Sequence, residues 1–178
     1  MPINYNTVKT ALFDWVTTQV PVGMPVILYQ PNAPRPTIPY VTIYLNQTTQ
    51  VNQDWSAPVT DENGVMDMKG DRQFNVQLQA YGGDPLTLLE NLRTSLQKQT
   101  VLDILRASGI VFYQSLAIND ITALVETEFE KRAQLDISLG IGQVYTDEPG
   151  YFDEIEIEEI ISDALNIVYQ ETITITAP

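Results

Sequence analysis

Near the start of the chain apolar residues recur every three or four positions, and Val8, Ala11, Leu12, Trp15 and Val16 share one face of a helix. Asn4 is placed to accept from the first free backbone N–H groups, with Ile3 and Val8 stapling the entry. Pro21 and Gly23 end this helix, and residues 25–29 read as a short strand. Pro31, Pro34 and Pro36 follow closely. Proline lacks a backbone donor and fixes φ, so residues 30–36 form a stiff, extended connector.

The period then changes to two. Over residues 39–46, Val41, Ile43 and Leu45 alternate with Tyr40, Thr42 and Tyr44, the pattern of a half-buried strand. Residues 46–70 are polar, carry the turn signal Asn63-Gly64, and read as a long exposed hairpin or loop. The clearest strand covers 72–81, with Phe74, Val76, Leu78 and Ala80 on one side and Gln73, Asn75, Gln77 and Gln79 on the other. Gly82-Gly83 breaks it. Asp84 caps a helix that has Pro85 in its first turn and Leu88, Leu89, Leu92 and Leu96 as its buried stripe. Thr100 and Asp103 start a second short helix, closed near Ser108-Gly109. Residues 110–116 are strand-like, a polar turn falls around Asn119-Asp120, and Ala133, Leu135, Ile137, Leu139 and Ile141 mark another alternating strand. This order predicts an α+β fold, a mostly antiparallel β-sheet with helices packed on one face.

The last part differs in kind. No Lys or Arg follows Arg132, yet residues 133–178 hold ten acidic residues. Residues 152–161 read as strand passing into helix, and 166–176, rich in Ile and Thr, as a final strand. The chain thus divides into an α+β domain over 1–146 and an acidic C-terminal extension or arm over 147–178. Such an arm could add a strand to a neighbour's sheet edge, where backbone groups would otherwise stay open.

Composition narrows the chemistry. The 178 residues include 9 basic and 23 acidic side chains, a net charge of −14, with no His and no Cys. Such a surface repels phosphate backbones, which disfavours ordinary nucleic-acid binding. Without His or Cys the commonest general base, the usual nucleophile pairs, disulfides and the preferred transition-metal ligands are all missing. Asp61-Glu62-Asn63-Gly64 lacks the ligand spacing of a calcium loop, so the acidic runs there, at Asp147-Glu148 and over 153–159 read as solvated faces. No catalytic residue, cofactor or metal is assigned. Met1-Pro2-Ile3-Asn4 has no basic region leading into an apolar one, and no apolar run approaches the roughly 20 residues of a membrane-spanning helix. A soluble chain with no membrane partner is expected.

Contact candidates are few. Arg35, held between Pro34 and Pro36, is suited to grip a carboxylate across an interface or within the chain. Arg72 opens the main strand and Arg132 a later one, each expected to pair with an acidic group. Trp55 lies alone in a polar stretch, as a contact anchor or folded back on its own sheet.

Several stretches in order resemble the phage neck terminator proteins, the tail-completion family of contractile-tailed phages. They are Asn32-Ala-Pro-Arg-Pro36, Pro39-Tyr-Val-Thr42, Gly70-Asp-Arg-Gln-Phe74 running on to Gln79-Ala-Tyr-Gly82, and Leu88-Leu-Glu-Asn-Leu-Arg-Thr-Ser-Leu96. Glu128-Phe-Glu-Lys-Arg-Ala-Gln-Leu-Asp-Ile137 and the segment 147–157 with Pro149-Gly150-Tyr151 complete the set, which covers roughly residues 3–158. The resemblance implies a virion protein of the neck, not an enzyme, made in the host cytoplasm. It would form a tail-terminator-like ring, usually a homo-hexamer, between a head-side connector protein and the last tail tube and sheath proteins, with DNA passing through the lumen unbound. Tyr151 joins Arg35, Trp55, Arg72 and Arg132 as a candidate inter-subunit or inter-ring contact. Rival readings are a head-completion (stopper) protein one ring nearer the portal, a carboxylate-dependent hydrolase, and a monomeric binding module for a basic partner.

Overall fold

The computed structural model describes residues 3–29, 34–56, 61, 63–125, 127–150, 154–162 and 167–176. Helix α1 spans Tyr5–Gln19, and Asn4 Oδ1 accepts from the backbone N–H groups of Asn6 and Thr7 at 3.0 and 3.4 Å. Its five expected apolar positions are buried. Strand β1 (Val26–Leu28) follows. The chain returns as β2 (Tyr40–Gln50), parallel to β1, with Val26 opposite Val41. Of the proline-rich connector, residues 30–33 lie outside the described residues and 34–37 carry no regular structure.

β3 (Trp55–Ser56) is short, and β4 (Met66–Tyr81) is sixteen residues long. β2 and β4 pair antiparallel from Tyr40 opposite Tyr81 to Gln50 opposite Arg72, with one register shift between Leu45 and Gln47. Both strands therefore run into the polar stretch that carries no apolar alternation, because a ladder is built by backbone groups and needs no apolar side chains.

Helix α2 (Pro85–Ser95) is capped by Asp84, whose Oδ1 accepts from Thr87 N–H at 3.3 Å. Helix α3 (Gln99–Ala107) begins earlier than expected: Lys98 is the capping position, with no side-chain cap bond. Asp103 instead accepts from Gln99 and Arg106 on the helix surface. Gly109, at φ +72°, closes it. β5 (Ile110–Asp120) runs through the expected turn. The bend comes just after, where Asp120 Oδ1 accepts from Thr122 N–H at 2.9 Å. A small hairpin of β6 (Ala123–Val125) and β7 (Glu128–Glu130) precedes β8 (Arg132–Asp147).

The main sheet has the order β1-β2-β4-β8-β5, with β3 beside β4. Val41, Ile43, Phe74, Val76, Leu78, Ala80, Ala133, Leu135, Ile137 and Leu139 join residues of all three helices in one buried cluster. The fold is thus α+β, mostly antiparallel, with helices on one face of the sheet. Trp15 is fully buried there, and its indole N–H donates to Ser95 Oγ at 2.9 Å.

Two compact units are present, Met1–Trp55 with Lys69–Tyr145, and Ser56–Met68 with Thr146–Pro178. In the second, β9 (Glu154–Ser162) and β10 (Ile167–Thr176) pair antiparallel with each other. The helix expected toward residue 161 is strand instead, since the register of β10 carries β9 through Ser162. The Asn63-Gly64 signal is a turn: Asp61 Oδ1 accepts from the N–H groups of Asn63 and Val65, each at 2.9 Å, with Gly64 at φ +76°.

Candidate functional site

The strongest polar cluster gathers around Asp54. Both terminal nitrogens of Arg72 donate to its carboxylate at 2.6 Å, Tyr145 OH donates to Oδ2 at 2.8 Å and Gln50 Nε2 to Oδ1 at 2.9 Å. The side chains of Arg72 and Asp54 are only 15% and 8% exposed. The forked pair from Arg72, then the tyrosine, hold the Asp54 carboxyl down at about 2. Gly70 makes the approach possible, because a Cβ there would overlap both the Asp54 carboxylate and the Arg72 guanidinium. The three elements β2, β4 and β8 are tied at one point beside Trp55.

A second cluster surrounds Glu130. Arg35 pairs with Glu130 Oε2, and Arg132 Nε donates to Oε1 at 2.6 Å. Partial burial raises the Glu130 carboxyl, but the bonds from Arg35 and Arg132 outweigh it and the net shift is downward. Tyr40 and Tyr81 stack at 4.5 Å. Arg35 sits 5.8 and 5.6 Å from their centroids and Arg132 sits 5.3 Å from that of Tyr81. Arg35 Nε also donates to Tyr40 OH at 2.9 Å. Together these contacts fasten the end of the proline-rich connector to β2, β4 and the β7–β8 bend.

The sheet face away from the helices is a hydrogen-bonded polar layer. Gln73 donates to Ser138 Oγ, Gln77 and Gln134 to Asp136, Gln79 to Gln77, and Tyr81 OH to Gln79. A hollow of about 540 Å³ between α1 and α3 contains one carboxylate, Asp14. Among the described residues no group of three or more Asp or Glu is placed to hold a metal ion.

Three of the arginines singled out from sequence, Arg35, Arg72 and Arg132, thus have carboxylate partners in the same chain. Arg72 reaches the carboxylate of Asp54, eighteen positions away, and donates to its neighbour Asp71 at the backbone carbonyl. Trp55 is 54% exposed, with Lys69 Nζ 5.5 Å from its ring centroid. Tyr151 lies outside the described residues. Sequence reasoning missed the partners Asp54 and Glu130, and it missed Phe129, which is 76% exposed opposite Leu124 in the β6–β7 hairpin. A lone aromatic between two glutamates was a signal that could have found it.

A sequence model of the phage neck terminator proteins matches residues 6–172, and the chain belongs to that family. It is a structural phage protein of the neck. A search of curated proteins finds no match to the chain. Among the described residues no helix is long and apolar enough to cross a membrane.

Proposed function

We propose that the chain is a terminator at the head–tail junction, closing the tail tube as a homo-hexameric ring and joining it to the head-side connector in the virion. The match to the neck terminator family across residues 6–172 carries this reading. Its role is structural rather than catalytic: the ion pairs of Arg35, Arg72 and Arg132 brace strands against one another. Trp55 and Phe129 serve as anchors for neighbouring subunits or rings, with the tail tube and sheath below. A net charge of −14 suits a channel through which DNA slides without sticking. Residues 1–146 form the ring body and 147–178 the contact arm. Cryo-electron microscopy of particles carrying the protein tests this directly. A six-fold ring of its density directly above the tail tube is expected. Density one ring nearer the portal would make it a stopper, and absence from the particle would end the structural reading.

A further inference from the structure

Charge is divided unevenly between the two compact units. Ser56–Met68 carries three acidic residues and Thr146–Pro178 nine, with no Lys or Arg in either segment, so this unit holds −12 of the net −14. The other unit, Met1–Trp55 with Lys69–Tyr145, sets eleven acidic residues against all nine basic ones, a net −2. Among its arginines, Arg72, Arg93 and Arg106 each have a carboxylate to themselves, whereas Arg35 and Arg132 share Glu130. Two guanidiniums on one carboxylate leave one positive charge uncompensated. Lys131 lies between Glu130 and Arg132 in the chain, is exposed, and forms no ion pair among the described residues. Asp84 and Asp120 line the same hollow as Lys131, and their carboxylates accept from the backbone N–H groups of Thr87 and Thr122.

This cationic spot lies far from the points where the chain passes into the acidic unit. The chain leaves the main-sheet unit at Trp55 and Tyr145 and returns at Lys69. All three points adjoin one cluster: Trp55 follows Asp54, Lys69 precedes Gly70, and Tyr145 donates to Asp54. β8 runs from Arg132 to Asp147, so the stretch from Arg132 to Tyr145 spans roughly 40 Å at about 3.3 Å per residue. β4 runs the other way between the same ends, from Arg72 in that cluster to Tyr81, whose ring lies under both Arg35 and Arg132. The main-sheet unit thus has an exit end and a cation-bearing end.

We infer that the surface formed by Arg35, Lys131 and Arg132 receives the carboxylates of the acidic unit of a second copy of this chain. Charge complementarity selects the occupant. Two copies of net −14 repel at long range, and that repulsion is least where one copy's acidic unit meets the nearly neutral body of the other at its excess of cations. Guanidinium groups suit the role, because a planar fork already holding Glu130 keeps further N–H donors for another carboxylate. The two surfaces differ, which makes the contact head-to-tail, the kind that closes into a ring when the rotation per subunit divides a full turn. The docking rests on the ring reading proposed above and names its interface.

Lysines are scarce enough to report on the contact, since the chain has only Lys9, Lys69, Lys98 and Lys131. Ordinary and nitrogen-15-labelled full-length protein are mixed at high concentration and treated with a carbodiimide, which joins a lysine amine to a carboxylate as an amide. Peptide mass spectrometry should find Lys131 joined across the two isotopes to residues 56–68 or 146–178. Links from Lys131 confined to one isotope would place the acidic unit on its own body and overturn the docking. Mixed links carried only by the other three lysines, or none at all, overturn it too. Sedimentation gives a second reading. Salt screens attraction at the contact, so association should weaken as salt rises, and Lys131→Glu should weaken it by about threefold or more. Association that strengthens with salt, or ignores Lys131→Glu, overturns the inference. A closed oligomer in native mass spectra without mixed Lys131 links leaves the ring standing and removes this interface alone, whereas a chain monomeric at every salt concentration removes the interface and leaves the ring to the density above the tail tube.

Discussion

Arg72 grips the Asp54 carboxylate with both terminal nitrogens at 2.6 Å, and through it β4 is fixed to the end of β2 beside the exposed Trp55. Planar guanidinium and planar carboxylate match in geometry, so the pair sets orientation as well as distance. A Lys at position 72 would keep the charge and lose the fork.

This pair should give the protein an acid-sensitive element. The folded Asp54 carboxyl lies at about 2, below its ordinary 3.8. A depressed carboxyl contributes stability that is fully present above the unfolded value and lost as pH falls through the folded one. Urea midpoints of the unaltered protein and Asp54→Asn should differ most at pH 7, with the unaltered protein higher. The gap should narrow as pH falls from about 4 toward 2. An unchanged gap down to pH 2 would show that the pair carries no pH-linked stability.

Gly70 should not tolerate a side chain. The overlap of a Cβ with Asp54 and Arg72 requires the pair to move, and overpacking of this kind costs roughly 1–3 kcal/mol. Thermal melts of Gly70→Ala should show the loss. In the Asp54→Ala, Gly70→Ala double variant the two effects should fall short of additive, because the obstruction is gone.

In the core, Ser95 accepts from the Trp15 indole and donates to Leu92 O at 2.6 Å. Ser95→Ala leaves the buried indole N–H unsatisfied, a cost of about 1–3 kcal/mol. Trp15→Phe with Ser95→Ala removes donor and acceptor together, so its loss beyond that of the unaltered protein reflects the indole's packing and the lost Ser95–Leu92 bond rather than an unsatisfied N–H. Chemical denaturation of the three variants checks this cycle.

Trp55 should separate folding from assembly. Its ring meets Lys69 at an exposed site, an interaction of about 0.5–1 kcal/mol, so Trp55→Ala should shift the unfolding midpoint only slightly. If the ring anchors a neighbour, incorporation into particles should fall by about tenfold or more. Competition between tagged and untagged protein during assembly measures it, and equal incorporation would remove Trp55 from the contact set.

Much of the fold was legible in the amino-acid sequence because it is local. The stripe of α1, the Asn4 and Asp84 caps, the alternation through Phe74 to Ala80 and the Asn63-Gly64 turn all depend on spacing within a few residues, and each stands in the structure. The fold class followed from their order. Where strands lack apolar alternation, as at residues 47–50, which face 72–75, their pairing is a tertiary fact, since only the partner's register supplies the hydrogen bonds. The same holds for residues 158–162, where an ambiguous Glu and Ile run became strand because β10 lies beside it. Partners for the arginines were least legible. Asp54 and Glu130 carry nothing in their local sequence to set them apart from other acids, and which carboxylate meets which guanidinium is decided by the three-dimensional path of the chain. Charge, the lack of His and Cys, and the periodicity of the core were therefore determined by sequence alone. The identity of each ion pair, and which apolar side chains remained uncovered, were decided only when distant strands came together.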